Sequence, residues 1–194
     1  MNSVEQLEPL EKLVETYLAL DDWEEADRRQ YYSYYIQSRV YAPDDPRLIP
    51  ALDKLARWNL MTFQEDAQEG PLYRLLDAYW LYKAAASLVT MHFGANDPRY
   101  IGYLEEMTDA AYKLALYGAQ GEIDREVVRK VHERLESQGV DVGPIGSVSG
   151  FAEGERALRD IYELYSSPRM SNLDGVEWQR VKALAELGDW YLMF

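Results

Sequence analysis

Apolar residues recur at helical spacing from the start of the chain. In LEPLEKLVETYLAL, Leu7, Leu10, Leu13, Val14, Tyr17 and Leu18 fall on one face of a helix. Asp21 and Asp22 break the pattern, and short carboxylates there suit a turn and the N-cap of the next helix. WEEADRRQYYSYYIQSRVY predicts a second helix, ending before Pro43. DDPRLIPALDKLARWNLMTF predicts a third, with Pro50 in its first turn and Leu52, Leu55, Trp58 and Met61 facing inward. After Gly70-Pro71, LYRLLDAYWLYKAAASLVTMHF predicts a long, strongly apolar fourth helix that stops at Gly94. NDPRYIGYLEEMTDAAYKLALYG and DREVVRKVHERLES predict the fifth and sixth. EGERALRDIYELY is the seventh, broken at Pro168, and DGVEWQRVKALAELGDWYLMF the eighth. No segment alternates with period two, so the chain is expected to be all-α. Between the sixth and seventh helices, GVDVGPIGSVSG (139–150) reads as a flexible connector with little to bury.

One segment occurs twice. Asp45-Pro46-Arg47 matches Asp97-Pro98-Arg99 at a shift of 52 residues, and the same shift aligns Ile49 with Ile101 and Leu52 with Leu104. It also aligns Ala67-Gln68 with Ala119-Gln120. A second echo sets LARWNLM against LGDWYLM. Repeated helix pairs indicate hairpins that bury their apolar faces by stacking.

The first two helices resemble a tetratricopeptide repeat. Leu10, Leu13, Val14 and Tyr17 stand where the first helix of that repeat carries its large, leucine, small and tyrosine positions. Trp23 and Ala26 match its second helix. Val14 departs from the small residue expected there. Leu184, Leu187, Gly188 and Tyr191 fit the first-helix pattern more closely. A middle copy keeps Leu52, Leu55 and Ala56 but has Asn59 for the tyrosine, and a further one keeps Leu104 and Met107. The resemblance implies a right-handed α-solenoid of about eight helices in a single domain, 1–194. Three hairpins would occupy 1–138 and the remaining helices 151–194, the last being an unpaired repeat helix. The array is then expected to continue in a longer chain, or to have that end covered by self-association with a second copy.

The resemblance also implies a function. In such proteins the first helix of each hairpin lines a concave surface that binds a protein or peptide. Transferred by the alignment, that surface carries Glu8, Glu11 and Glu15, then Asp53, Arg57 and Leu60, then Glu105, Asp109 and Tyr112. It is acidic and tyrosine-lined, so the partner is expected to carry basic residues.

Charge and composition narrow the alternatives. A net charge of −14 argues against nucleic acid and against an anionic membrane surface as partners. The chain has no cysteine, which excludes disulfides, thiolate metal sites and cysteine nucleophiles. No apolar run approaches the ~18 residues of a membrane span, and the start lacks the pattern of a signal peptide. A soluble protein is expected, and the compartment is left open between cytoplasm and, if a leader has been removed, periplasm.

The chemistry-bearing residues are sparse. His132 opens HERLE, one residue away from the H-E-x-x-H zinc signature. No third ligand is evident and Arg129, Lys130 and Arg134 surround it, so an exposed, metal-free helix is expected. His92 reads as a hydrogen-bonded, half-buried histidine. Glycines 143, 146, 150 and 154 match no phosphate-loop spacing. Tyr31 to Tyr35 should point to several sides of one helix, some packed and some solvated. The sequence calls for no cofactor and no metal, and favours a non-catalytic scaffold. The alternatives are an all-helical enzyme or subunit with a carboxylate pocket, and an acidic mimic of nucleic acid.

Overall fold

The computed structural model describes residues 4–64, 70–119, 121–144, 146–168, 170 and 174–194. Eight α-helices lie among them: α1 (Leu7–Ala19), α2 (Trp23–Val40), α3 (Ile49–Thr62), α4 (Pro71–Phe93), α5 (Pro98–Leu114), α6 (Arg125–Ser137), α7 (Gly150–Ser166) and α8 (Val176–Met193). The only extended pairing among the described residues is an isolated bridge between Glu122 and Ser149. The protein is all-α.

The helices begin where the sequence supplies acceptors for free amides. Asp22 accepts from the Glu25 amide, Asp124 from the Glu126 amide and Ser149 from the Ala152 amide. The duplicated Asp-Pro-Arg segments prove to be two copies of one helix-entry device. Asp45 accepts the Arg47 amide at 2.9 Å, and Asp97 accepts the Arg99 amide at 3.0 Å. Each aspartate is also gripped by the guanidinium of its own arginine, which holds both carboxyls well below the usual range, at about 2. The guanidinium in turn covers an aromatic ring six residues upstream, Arg47 over Tyr41 at 4.2 Å and Arg99 over Phe93 at 4.0 Å. The repeat therefore extends one step further back than its Asp-Pro-Arg core. Its Ala67-Gln68 counterpart lies outside the described residues.

Helix α4 is the centre of the molecule. Residues 75–82 are buried without interruption, as expected of a helix that is apolar on every side. It packs along both α3 and α5. Tyr31 of α2 and Arg134 of α6 reach its Asp77, and Glu153 of α7 accepts a hydrogen bond from its Tyr79. Helices α1 and α2 fold back on each other around buried Ala26, as do α7 and α8 around Trp190. The order of packing is not that of a regular stack of hairpins. Helix α5 packs on α7 as extensively as on α4, while α6 turns to α4.

Several local expectations are corrected. Trp23 is not enclosed with Tyr17 and Ala26 but stays partly exposed, tilted against Trp58 with ring centroids 6.4 Å apart. In α8, Leu187 faces inward and Gly188 has open space over it, while Tyr191 is partly exposed beside α7, its ring near Phe151 and its hydroxyl bonded to Glu155 and Arg159. The buried face of α8 instead reads Ala183, Leu187 and Trp190, closed by half-buried Phe194. The close helix approach falls at Gly154 of α7. A Cβ there would lie 2.2 Å from Cη2 of Trp190, so only glycine admits the indole.

The 139–150 segment buries more than its composition suggested. Val140, Val142 and Val148 are all in the core. The Ile123 amide donates to the Val148 carbonyl at 2.8 Å, and Gly139, at φ +87°, makes the turn out of α6. His132 is buried rather than on an exposed helix face. Its Nε2 lies 2.7 Å from the Gly143 carbonyl oxygen, and its ring meets Trp80 edge-on. The tyrosine run divides as expected. Tyr34 is buried, Tyr31 half-buried, and Tyr32 is exposed and stacked on Tyr35.

Candidate functional site

Helices α5 and α8 stand on either side of α7, and a groove of about 440 Å³ runs between them. Its position follows from helix spacing. Glu105, Thr108, Asp109 and Tyr112 recur three and four residues apart, so one face of α5 lines one wall. Lys182, Glu186, Asp189 and Met193 do the same from α8. Leu158 and Ile161 of α7 and the indole of Trp190, all buried, form the floor.

The rim is acidic. Asp109 pairs with Lys113, and Glu186 lies 3.5 Å from Lys182, each within its own helix. Glu105 and Asp189 are exposed and have no ion partner among the described residues. Aromatic surface adjoins them. Tyr112 contacts Trp190 and Phe194 at centroid distances of 6.3 and 5.8 Å. A groove with an apolar floor and unpaired carboxylates at its edge suits a ligand with an apolar stem and a cationic head, such as a lysine or arginine side chain.

Three of the residues expected from the sequence, Glu105, Asp109 and Tyr112, thus meet in this groove. The other six lie elsewhere, on α1 and α3. Glu8 pairs with Lys12 at 2.7 Å, and Glu11 reaches across to Lys54 of α3 at 2.5 Å. Glu15 is exposed. Asp53 holds Arg57 at 3.1 Å, and Arg57 continues to Glu106 of α5 at 3.8 Å. Leu60 is half-buried against the core. Apart from Glu15, these charges make a band of ion pairs joining α1, α3 and α5, in which Lys12 holds Glu8, Lys54 holds Glu11, and Arg57 is shared by Asp53 and Glu106.

The alignment had no reason to include the α8 wall, because it placed Tyr191 inward. Alanine, leucine, tryptophan and phenylalanine at 183, 187, 190 and 194 are spaced by four, three and four residues and mark the true inner face. That spacing puts Lys182, Glu186 and Asp189 at the edge next to α5.

A second polar cluster is centred on two buried side chains, Asp77 and Asn59. Asp77 of α4 has no solvent exposure. Its Oδ2 accepts from Arg134 at 2.6 Å and from the Tyr31 hydroxyl at 2.9 Å, while its Oδ1 has no hydrogen-bond partner. The same hydroxyl lies 2.8 Å from Oδ1 of Asn59. Arg74 reaches Asp27 at 2.6 Å, and so does the Trp58 indole. Burial pushes the Asp77 carboxyl up to about 6, against the pull of Arg134 and the Tyr31 hydrogen bond. Burial likewise drives the Tyr31 hydroxyl well above its ordinary value. A shifted carboxyl is a common mark of catalysis, but this one is sealed from solutes by the helices it ties together.

Among the described residues no group of three or more histidines, aspartates or glutamates is arranged to hold a metal ion. His92 is exposed rather than half-buried, and its Nε2, 2.5 Å from the Asp44 carbonyl oxygen, ties the last turn of α4 to the loop before α3. No described helix is long and apolar enough to cross a membrane.

No protein-family model matches the chain, and comparison with curated proteins and with solved structures finds no match.

Proposed function

We propose that the chain is a non-catalytic, tetratricopeptide-like helical scaffold whose α5–α7–α8 groove holds a basic segment of another protein. The groove itself carries the reading: Glu105 and Asp189, both unpaired, stand over an apolar floor made by Leu158, Ile161 and Trp190. The helix-repeat part of the proposal draws support from the α1/α2, α3/α4 and α7/α8 hairpins. It is also favoured by the ion pairs that set α1, α3 and α5 side by side. On α1 and α3, Glu8, Glu11 and Asp53 are already engaged by Lys12, Lys54 and Arg57, and so offer a basic partner less.

The test is calorimetric titration with a panel of arginine- and lysine-containing peptides at two salt concentrations. Binding should weaken as salt rises toward physiological strength, where the Debye length is ~8 Å. Replacing both Glu105 and Asp189 with lysine should lower affinity by roughly 10-fold or more. Glu11→Gln, which removes a carboxylate already paired with Lys54, should change it by less than about 3-fold. Tyr112→Ala should exceed Glu11→Gln, because a desolvated aromatic contributes more than an exposed acid. Equal loss from Glu11→Gln and from the groove pair would move the site to the α1–α3 face. Affinity indifferent to salt and to all of these changes would dismiss the proposal.

A further inference from the structure

Helix α8 has two apolar faces, and the fold uses one. Ala183, Leu187 and Trp190 are buried, while Trp178 is 69% exposed, Leu192 86%, and Val181 and Leu184 54% each. Trp178, Val181, Ala185, Gly188 and Leu192 are spaced by three, four, three and four residues, the period of a helix that packs along a second helix. Successive residues turn by about 100°, which puts this stripe opposite the buried face. We propose that α8 pairs antiparallel with α8 of a second copy of this chain.

The occupant follows from complementarity. Lys182 and Asp189 lie seven residues apart on the flank of the stripe, one toward each end. In an antiparallel pair the same flanks of the two helices face each other, so Lys182 meets Asp189 of the second copy, twice by symmetry. In a parallel pair opposite flanks face each other, so Lys182 and Asp189, both on one flank, would not meet. The same register sets Val181 against Leu192 of the second copy and Ala185 against its Gly188. The small residues therefore coincide at the centre of the pair and the large ones at its ends. A Cβ at Gly188 would meet nothing within 4 Å, so the protomer's own packing leaves room there for a neighbouring backbone. On the other flank, exposed Leu184 faces Tyr191 of the second copy. Trp178 extends over the far end of the partner helix.

The pair is small. An 18-residue helix is about 27 Å long, and two copies of −14 repel one another at a distance. A dissociation constant of ~10 μM is the expected scale. The pair shares Lys182 and Asp189 with the groove wall, whereas Val181 and Leu184 lie outside the groove, so glutamates there test the dimer without touching the peptide site.

Sedimentation velocity over a concentration series is the experiment, with circular dichroism confirming that each variant is folded. The wild-type chain should pass from monomer to dimer across the micromolar range. Lys182→Glu and Asp189→Lys should each weaken the dimer about 10-fold by opposing like charges. The double exchange Lys182→Glu/Asp189→Lys should restore it, because the same pairs re-form with reversed sign. Val181→Glu with Leu184→Glu should abolish it. A wild-type chain still monomeric at about 1 mM overturns the proposal. So does a dimer indifferent to the glutamates at 181 and 184, or one that the double exchange fails to restore. Loss of peptide binding without loss of the dimer, or the reverse, separates this inference from the proposed function.

Discussion

Trp190→Ala is expected to lower the stability of the folded chain by about 3–5 kcal/mol, the range for removing a buried aromatic ring. The ring is 2% exposed and lies within 6.3 Å, centroid to centroid, of Tyr112, Phe151 and Phe194. Its Nε1–H has no hydrogen-bond partner, so truncation gives up packing alone. Gly154→Ala attacks the same contact from the other side. The new Cβ would sit 2.2 Å from the ring, and displacing a well-packed side chain costs about 1–3 kcal/mol. That outweighs the ~1 kcal/mol by which alanine favours a helix over glycine. Chemical denaturation of the two single variants and the double variant checks the account. The effects should be strongly non-additive, because once the indole is gone the Gly154 methyl has room. Additive effects would show that glycine and tryptophan do not share this contact.

Asp77→Ala should cost about 3 kcal/mol or more at neutral pH. It leaves Arg134 without its carboxylate and the Tyr31 hydroxyl one acceptor short in the interior. The wild-type chain also carries a pH signature. The folded carboxyl titrates at about 6 and the ordinary value is 3.8. Because the folded value is the higher one, the folded state binds this proton more tightly than the unfolded chain does. The stabilisation linked to the Asp77 proton is therefore full below about pH 4 and is lost as pH rises through 6, a change on the order of 3 kcal/mol, while the hydrogen bonds from Arg134 and Tyr31 persist to the ionised carboxylate. Stability measured from pH 4 to 7 should decline from this group. Asp77→Asn, which has no proton to exchange, should flatten that part of the profile. A wild-type profile that climbs from pH 4 to 6 by the same amount as the asparagine variant would sink the assignment.

The helices were legible in the sequence because their signals are local. Aspartate caps, prolines in first turns and three-four spacing of apolar residues each act within one or two turns of chain. The match between the two Asp-Pro-Arg segments pointed to a real common geometry for the same reason: each arginine closes on an aspartate two residues away. What the chain did not disclose depends on contacts between distant residues. Tyr191 fits the repeat pattern as well as Trp190 does, and only the 36 residues separating Gly154 from Trp190, closed in space, decide which ring goes inward. The connector shows the same limit. Its glycines are visible as loop residues, but the burial of Val140, Val142 and Val148 depends on the core surface they meet. Half of the groove was visible because α5 presents a clean polar-aromatic face. The other half was obscured by an α8 that is apolar on two sides.

Helix α4 also sets how the molecule breathes. Its buried stretch from Leu75 to Tyr82 touches partners on α2, α3, α5, α6 and α7, so none of its amides can meet solvent unless several helices leave together. Deuterium should enter there only through whole-molecule unfolding. Helix α8, docked through the Trp190 indole in its glycine notch, the neighbouring Ala183 and Leu187, and the Tyr191 hydroxyl on Glu155 and Arg159, has fewer partners than α4 and should exchange earlier, as a unit that undocks while the rest stays folded. The wall of the groove that carries Asp189 would then be the movable one, and the wall that carries Glu105, backed by α4, the fixed one.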